Sequence, residues 1–596
     1  MRSAGRMPCK RWFGPVLVCW LAAWILPAAA DTPYSAAITG VDDAGLKDAL
    51  TNASQLVALA DRPPASPAAL RRRAEDDLER LADVMHAQGY WHAQVRYTLD
   101  TNESPAHVTI TVAPGPLFHL GKVEFALPSG APAALPGGAG PTAVGLAPGT
   151  PALSAAVTAA NDQIVALYGH NGYPFAKVTD RHVVVDIATD LMSATYTIEP
   201  GAMARFGDTT ISGLHRVGRA FVTRRIAWQA GAPYDAREVD ATRDDLVRSG
   251  LFSGVRIDHA DAPDAAGAVA MTIDVIEGPP RSVGAGVGYN TNLGFGARAF
   301  WQTRNLFGEG ESLKLSAGAA QKQLGVAAEF RRPDLFTRKL DLLADAELLH
   351  ETTDAYKSRR WRGYIGLEDV KWSPYTLGGG VSLERAYLTE TSHDENYLLL
   401  GTPFYVRRDT TDDLLEPTRG TRSTLSLTPY HGLLVRDFNF VASRIEGRAY
   451  QRVTASNRFV VAGYAALGSI FGESLEDIPA DKRFYAGGAG SVRGYGYQRA
   501  GPIDLSNVPI GGRSSLELGV ELRTRITETI GLVPFVDAGN VYPTNLPNNP
   551  HLFYGAGLGL RYYTVVGPIR LDLAFPIGKR SSDSAIQVYI SIGQAF

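Results

Sequence analysis

Up to about residue 278 the apolar positions recur with a helical period broken by short alternating runs; beyond it they alternate every second residue. In the first part three amphipathic patterns predict helices: Ala68 to Gln88, Leu153 to His170, and Tyr234 to Ser249. Gly89, Gly172 and Gly250 stand where a glycine would end each helix. An alternating strand follows each stop, in "HAQGYWHAQVRYTLD", "YGHNGYPFAKVTDR" and "RSGLFSGVRIDHAD". A second strand then closes in a turn, in "VTITVAPGP", "ATYTIEPGA" and "MTIDVIEGPP". The glycines are 83 and 78 residues apart (172−89 and 250−172), long for a solenoid repeat and suited to three small α+β domains in tandem. Each is expected to run strand, two helices, strand, strand. The Pro/Gly/Ala-rich stretch Leu127 to Pro151 reads as a connection inside the second unit, because Lys122 to Leu127 already supplies that unit's first strand.

In the second part, "SLELGVELR" puts Leu516, Leu518, Val520 and Leu522 on one face and Glu517, Glu521 and Arg523 on the other. "GPIRLDLAFPIG" opposes Ile569, Leu571, Leu573 and Phe575 to Arg570, Asp572 and Ala574. "AIQVYISIGQAF" puts Ile586, Val588, Ile590, Ile592 and Phe596 on one side. A sandwich core would not tolerate the arginines and carboxylates of these faces, and 318 residues (279–596) is large for one sandwich. The last residue, Phe596, is the kind of terminus exported outer-membrane barrels carry. Strands in lipid must close on themselves, so the expectation is a transmembrane antiparallel β-barrel with a polar lumen. At about 20 residues per strand and turn, its length predicts roughly 16 strands.

Composition adds the compartment. Arg2, Arg6, Lys10 and Arg11 precede an apolar run from Trp12 to Leu26, and Ala28-Ala29-Ala30 reads as a cleavage site, so residues 1–30 are expected to be a signal peptide. The only cysteines, Cys9 and Cys19, lie within it, which excludes disulfide scaffolds, thiolate metal sites and cysteine nucleophiles from the mature chain. Removing four cations from a net charge of −3 leaves about −7, which gives no sign of a nucleic-acid partner. After Leu26 no apolar run approaches the roughly 18 residues of a membrane helix.

The densest candidate chemistry is "YAGGAGSVRGYGYQRAGP", residues 485–502. It has no lysine and no helix after it, so it is not a phosphate-binding P-loop. No G-x-S-x-G elbow or H-E-x-x-H pair occurs, the 12 histidines are scattered, and no cofactor is implied; an enzyme is not expected. Asp409, Asp412 and Asp413 miss the spacing of a calcium loop, so no metal is expected there.

The helix ends and closing Pro-Gly or Glu-Gly turns of the three repeats resemble POTRA domains, the periplasmic modules of outer-membrane insertases. With such repeats before a barrel, Val492-Arg493-Gly494-Tyr495 resembles the VRGF/Y signature of the BamA/TamA outer-membrane insertase superfamily. The resemblance implies that this loop, about 471–512, folds back into the lumen. It also implies that Arg493 pairs with Glu521 and with Asp537 of "VPFVDAGNVY". "WQTRNLFGEGESLKL" resembles the family's opening hairpin, with Gly308 and Gly310 at the turn, and "RRDTTDDLLEPTRGTR" its Asp-rich segment, with Glu416 in place of an aspartate.

Domain boundaries follow at 31–116, 117–200 and 201–278 for the repeats and 279–596 for the barrel. Three repeats resemble the TamA-type branch, since the BamA type carries five. The function so implied is capture of unfolded β-barrel or autotransporter clients by the POTRA domains. Insertion would then proceed through a weak seam between the first strand, with Gly284, Gly286 and Gly288, and the last, with Ile590 and Ile592. The implied setting is a monomeric barrel in the outer-membrane lipid of a Gram-negative bacterium, with a TamB-type partner in the inner membrane and periplasm. The alternative is a two-partner secretion pore, which shares the repeats and the VRGY loop but exports a soluble protein through its lumen.

Overall fold

The computed structural model describes residues 31–370, 372–390, 394–433, 438–454, 457–564, 568–592 and 594. The predicted signal segment and Phe596 lie outside the described residues.

The first repeat comprises β1 (Tyr34–Thr39), α1 (Ala44–Ala53), α2 (Gln55–Ala58), α3 (Pro67–Ala87), β2 (Gln94–Asp100) and β3 (Ala106–Ala113). Ser66 caps α3 by accepting from the Ala69 N–H at 3.3 Å, Pro67 opens it, and Gly89 ends it at φ +88°. The sheet order is β1-β3-β2, with β1 parallel and β2 antiparallel to β3. Leu50, Leu56, Leu70, Leu81 and Met85 bury the helical stripe against Val108, Ile110 and Val112.

The second repeat has β4 (His119–Ala126), α4 (Ser154–Gly169), β5 (Lys177–Asp186) and β6 (Leu191–Glu199) in the order β4-β6-β5. Here the two-helix expectation fails. Proline and glycine break the segment between β4 and α4 into two short 3₁₀ turns, Pro136–Gly138 and Pro141–Val144. The segment still fills the place of a helix, because Leu135, Val144, Leu146 and Ala152 are buried in the same core as Ile164 and Tyr196.

The third repeat comprises β7 (Arg205–Ser212), α5 (Arg219–Thr223), α6 (Ala236–Arg248), β8 (Phe252–His259) and β9 (Ala268–Glu277), in the order β7-β9-β8. Its residues 209–227 and 238–259 belong to the same compact unit as the strands that follow. Within that unit Arg225 pairs with Asp334, Arg338 donates to Asp245 at 2.7 Å, and the Gly218 N–H donates to the Gly308 carbonyl at 2.7 Å.

The large sheet begins with β10 (Arg281–Asn290), β11 (Gly294–Arg304), β12 (Ser312–Ala320), β13 (Gln323–Arg332), β14 (Leu340–Thr352) and β15 (Lys357–Asp369). It continues with β16 (Tyr375–Thr389), β17 (Asp394–Gly401), β18 (Phe404–Asp409), β19 (Gly420–Leu433), β20 (Asn439–Arg452) and β21 (Phe459–Phe471). After a long loop come β22 (Ser514–Arg525), β23 (Ile530–Tyr542), β24 (Phe553–Tyr562), β25 (Ile569–Ile577) and β26 (Gln587–Ile592). Each segment pairs antiparallel with the next except at β17 and β18, which among the described residues do not pair with each other: β16 and β19 each pair with both. Those two are therefore halves of one strand, interrupted at Thr402-Pro403, where proline has no N–H to give the ladder. Among the described residues the 17 segments make 16 strands, in keeping with the roughly 16 that the length predicts.

The alternation sorts the two faces. Leu518, Val520, Leu522, Ile569, Leu571, Leu573 and Phe575 are all exposed, whereas Glu517, Glu521, Arg523, Arg570 and Asp572 are all buried. An apolar outside and a charged inside is the inverse of a soluble barrel and the arrangement lipid requires. No helix among the described residues is long and apolar enough to cross a membrane. The sheet brings its ends side by side, and the Thr291 hydroxyl donates to the Val588 carbonyl at 2.7 Å. Among the described residues no backbone pairing joins β10 to β26.

Candidate functional site: a loop held inside the barrel

The connection between β21 and β22 runs from residue 472 to 513 and carries the VRGY stretch. Val492 and Tyr495 are buried in a small core with Ala486, Ala500 and Val541. Gly494 has φ +102°, and a Cβ there would lie 3.0 Å from the Phe575 and Pro576 backbone, so only glycine fits. The same closeness recurs across the chain: a Cβ on Gly555 of β24 would fall onto the Arg493 carbonyl.

Arg493 is 1% exposed. Its Nε and Nη2 donate to the two oxygens of Asp537 at 2.6 and 2.9 Å, a planar fork on a carboxylate, and its backbone N–H adds a third bond at 3.1 Å. Its Nη1 donates to Glu521 Oε1 at 2.7 Å and to Asp572 Oδ2 at 3.0 Å. The guanidinium carbon lies 3.5 Å from the centre of the Phe535 ring, so the cation is stacked as well as paired. Further arginines surround the acids. Arg523 Nε is 3.0 Å from Glu521, Arg561 reaches Asp572 at 2.5 Å and Glu521 at 3.8 Å, and Arg570 lies 3.6 Å from Asp572. Four guanidinium groups thus face three carboxylates.

The loop also holds the last strand. Tyr589 of β26 accepts from the Gly494 N–H at 3.1 Å and donates to the Tyr495 carbonyl at 2.8 Å, and Tyr495 donates to the Ile577 carbonyl at 3.0 Å.

The structure therefore brings Arg493, Glu521 and Asp537 together and adds partners that sequence reasoning missed: Asp572, Arg523, Arg561, Arg570 and Tyr589. The period of 2 had placed Asp572 and Arg570 on the lumen face, but strand period carries no information on which lumen groups a distant loop will reach. The seam residues are placed more loosely. Gly284 packs under the Phe300 ring, while Gly286 and Gly288 face open space. All three, with Ile590, border a cavity of about 1050 Å³. The Ile592 backbone pairs with Ile569, and its side chain lies outside the described residues.

Gly308 and Gly310, at φ +101° and +85°, turn β11 into β12, so that hairpin is the second of the sheet; the first joins β10 to β11. In the Asp-rich turn between β18 and β19 the acids have protein partners. Asp409 pairs with Arg422 at 2.6 Å, and Asp413 accepts from the Leu415 and Glu416 N–H groups. Both Glu416 oxygens meet Arg525 at 2.7 Å. Burial pushes the Asp412 carboxyl up, but the Thr418 hydroxyl and backbone N–H groups outweigh it and hold it at about 2.

A charged-lumen barrel of 16 strands, filled by an arginine-pinned loop and preceded in the chain by three α+β repeats, defines a transmembrane β-barrel with an N-terminal repeat array. Residues 305–596 match the Omp85 superfamily domain, so this half of the chain is a domain of that superfamily. The chain is similar to the outer membrane protein assembly factor BamA of Nitratidesulfovibrio vulgaris, 25% identical over 445 residues, 72% of this chain and 56% of that protein. BamA of Neisseria meningitidis serogroup B is 22% identical over 585 residues, 87% of this chain and 72% of that protein. The chain thus spans little more than half the length of the first of these relatives. In fold it resembles BamA from Haemophilus ducreyi lacking POTRA domains 1–3, with a TM-score of 0.63 and 18% identity over 75% of this chain and 95% of that structure. It is an outer-membrane protein with its repeats on the periplasmic side.

Proposed function

We propose that this protein inserts unfolded β-barrel or autotransporter clients into the outer membrane without a nucleotide. Residues 31–116, 117–200 and 201–278 act as POTRA domains. Each presents a three-stranded sheet whose edge strands, β2, β5 and β8 among them, offer unpaired backbone groups to an extended client. The client then passes to the seam between β10 and β26. The observation that carries this reading is the seam itself, where two strands lie side by side with no ladder among the described residues and Gly286 and Gly288 leave one lip bare. Opening such a junction breaks few hydrogen bonds and little packing. Three repeats favour the TamA-type branch, with a TamB-type partner reaching from the inner membrane to a monomeric barrel.

Cysteines replacing Gly286 and Ile590 test the reading, with assembly of a reporter β-barrel as readout. Quantitative crosslinking is expected to abolish client assembly while leaving the barrel folded, as judged by its heat-modifiable migration. Full assembly activity in the locked protein would overturn lateral insertion. Undiminished release of a soluble client through the locked barrel would point to a secretion pore instead.

A further inference from the structure

The Arg493 cluster holds only the second half of the loop. The first half meets a different arc of the wall. Residues Ala480–Lys482 form a single 3₁₀ turn. Lys482 pairs with Glu384 of β16, and the Tyr397 hydroxyl of β17 lies 2.8 Å from Glu384 Oε1 and 2.7 Å from Asp481 Oδ2. None of these four side chains is more than 11% exposed. Next in sequence, Arg483 pairs with Glu390 at 3.2 Å and donates from Nε to the Ile478 carbonyl at 2.9 Å. Ile478 and Ala480 are buried in an apolar cluster with Tyr397, Leu399 and Phe440.

Strands β19–β21 separate this arc from β22–β25, so the loop spans two parts of the ring. Between the two arcs it is folded on itself. Phe484 and Gly512 exchange backbone bonds at 2.8 and 2.9 Å, the Ala500 N–H donates to the Ala486 carbonyl at 2.9 Å, and the Gly488 N–H to the Tyr495 carbonyl at 3.2 Å. A segment tied to itself in this way carries a displacement at one end to the other rather than absorbing it as slack.

We propose that Glu384 and Tyr397, gripping Lys482 and Asp481, form a second anchor, and that they are positioning residues for Arg493. The anchor sets where the loop's stem stands, and the stem sets the approach of the guanidinium to Asp537 and Glu521. This goes beyond the proposed insertion function, because it concerns how the loop is seated whatever the barrel handles.

The reporter is Ala489→Cys in the full-length protein. Ala489 is 6% exposed and packs beside Phe535, Ala574 and Tyr589, and the native cysteines, Cys9 and Cys19, lie in the predicted signal segment. Maleimide labelling of the folded barrel is expected to be slow, and Arg493→Ala to speed it as a positive control. Lys482→Met or Glu384→Gln, each breaking a buried charge pair far from residue 489, is expected to raise the rate about tenfold or more. The swap Glu384→Lys with Lys482→Glu is expected to bring the rate back towards the parent, which mere loss of packing would not permit. Tyr397→Phe, which keeps the ring, is expected to give a smaller rise and serves if a charge variant fails to fold. Unchanged labelling in the anchor variants while Arg493→Ala exposes the cysteine, or a swap that labels as fast as the single variants, would overturn the second anchor. The labelling reads loop position alone, so its failure is distinct from failure of the insertion reading.

Discussion

Removing Arg493 does not strand its acids equally. Glu521 keeps Arg523 at 3.0 Å and Arg561 at 3.8 Å, and Asp572 keeps Arg561 at 2.5 Å and Arg570 at 3.6 Å. Asp537 keeps nothing comparable: among the described residues its carboxylate accepts hydrogen bonds from Arg493 alone. Its side chain is 2% exposed, so lumen water screens it little. Stranding one buried charge costs about 3–5 kcal/mol, which raises the population of unlatched loop about a hundredfold or more. Arg493→Ala is therefore expected to destabilise the barrel by that order in denaturant unfolding in lipid or detergent, and to open the loop to protease. Arg493→Lys keeps the charge but loses the fork on Asp537 and the stacking on Phe535, and is expected to fall close to alanine. Asp537→Asn alone leaves Arg493 bonded to Glu521 and Asp572 and is expected to cost less. Added to Arg493→Ala it removes the stranded charge, so the double variant is expected to be no worse than Arg493→Ala alone, a coupling well outside additivity. The reasoning is refuted if the two losses simply add, or if Glu521→Gln or Asp572→Asn relieves Arg493→Ala as well as Asp537→Asn does.

Residues 31–278 expressed alone are expected to be soluble and mixed α+β by circular dichroism; insoluble, purely β material would refute the division into three repeats and a barrel. Glu277 accepts from the His215, Arg216 and Val217 N–H groups, each at 2.8 Å, and from Arg216 Nε at 3.2 Å. Burial pushes its carboxyl up, but these bonds outweigh it and bring it from 4.5 to about 2. A carboxyl lowered in the folded state stabilises fully above about 4.5 and loses that contribution as pH falls towards 2, so Glu277→Gln is expected to cost up to about 3 kcal/mol at pH 7. The gap between parent and variant should close on acidification, read by hydrogen exchange at residues 215–217; a gap independent of pH would refute the assignment.

What was legible in the sequence divides along the range of the interactions. Strand period is local, so the lumen face of β22 and β25, including Glu521 and Asp572, could be read from alternation. The helix stops at Gly89, Gly172 and Gly250 were equally local, and their φ values of +88°, +94° and +67° give the reason for glycine. The break at Thr402-Pro403 was not legible, because apolar residues continue on both sides and only the ladder shows that β17 and β18 are one strand. The missing helix of the second repeat was hidden differently. Its prolines and glycines advertise irregular backbone, but that such backbone could still bury Leu135, Val144 and Leu146 is a fact of packing. The grip of Tyr589 on Gly494 and Tyr495, 94 residues or more away in sequence, has no local signature at all.

The direction of those long-range contacts in the chain sets an order in time. The partners of the loop's stem, Glu384, Glu390 and Tyr397, all precede it in the chain, so that end can be seated while later strands are still unpaired. The partners of Arg493 all follow it: Glu521, Asp537 and Asp572 are 28, 44 and 79 residues further on. Seating Arg493 therefore waits for β22, β23 and β25 to be in place, and a chain that stops before β25 has no means of completing it.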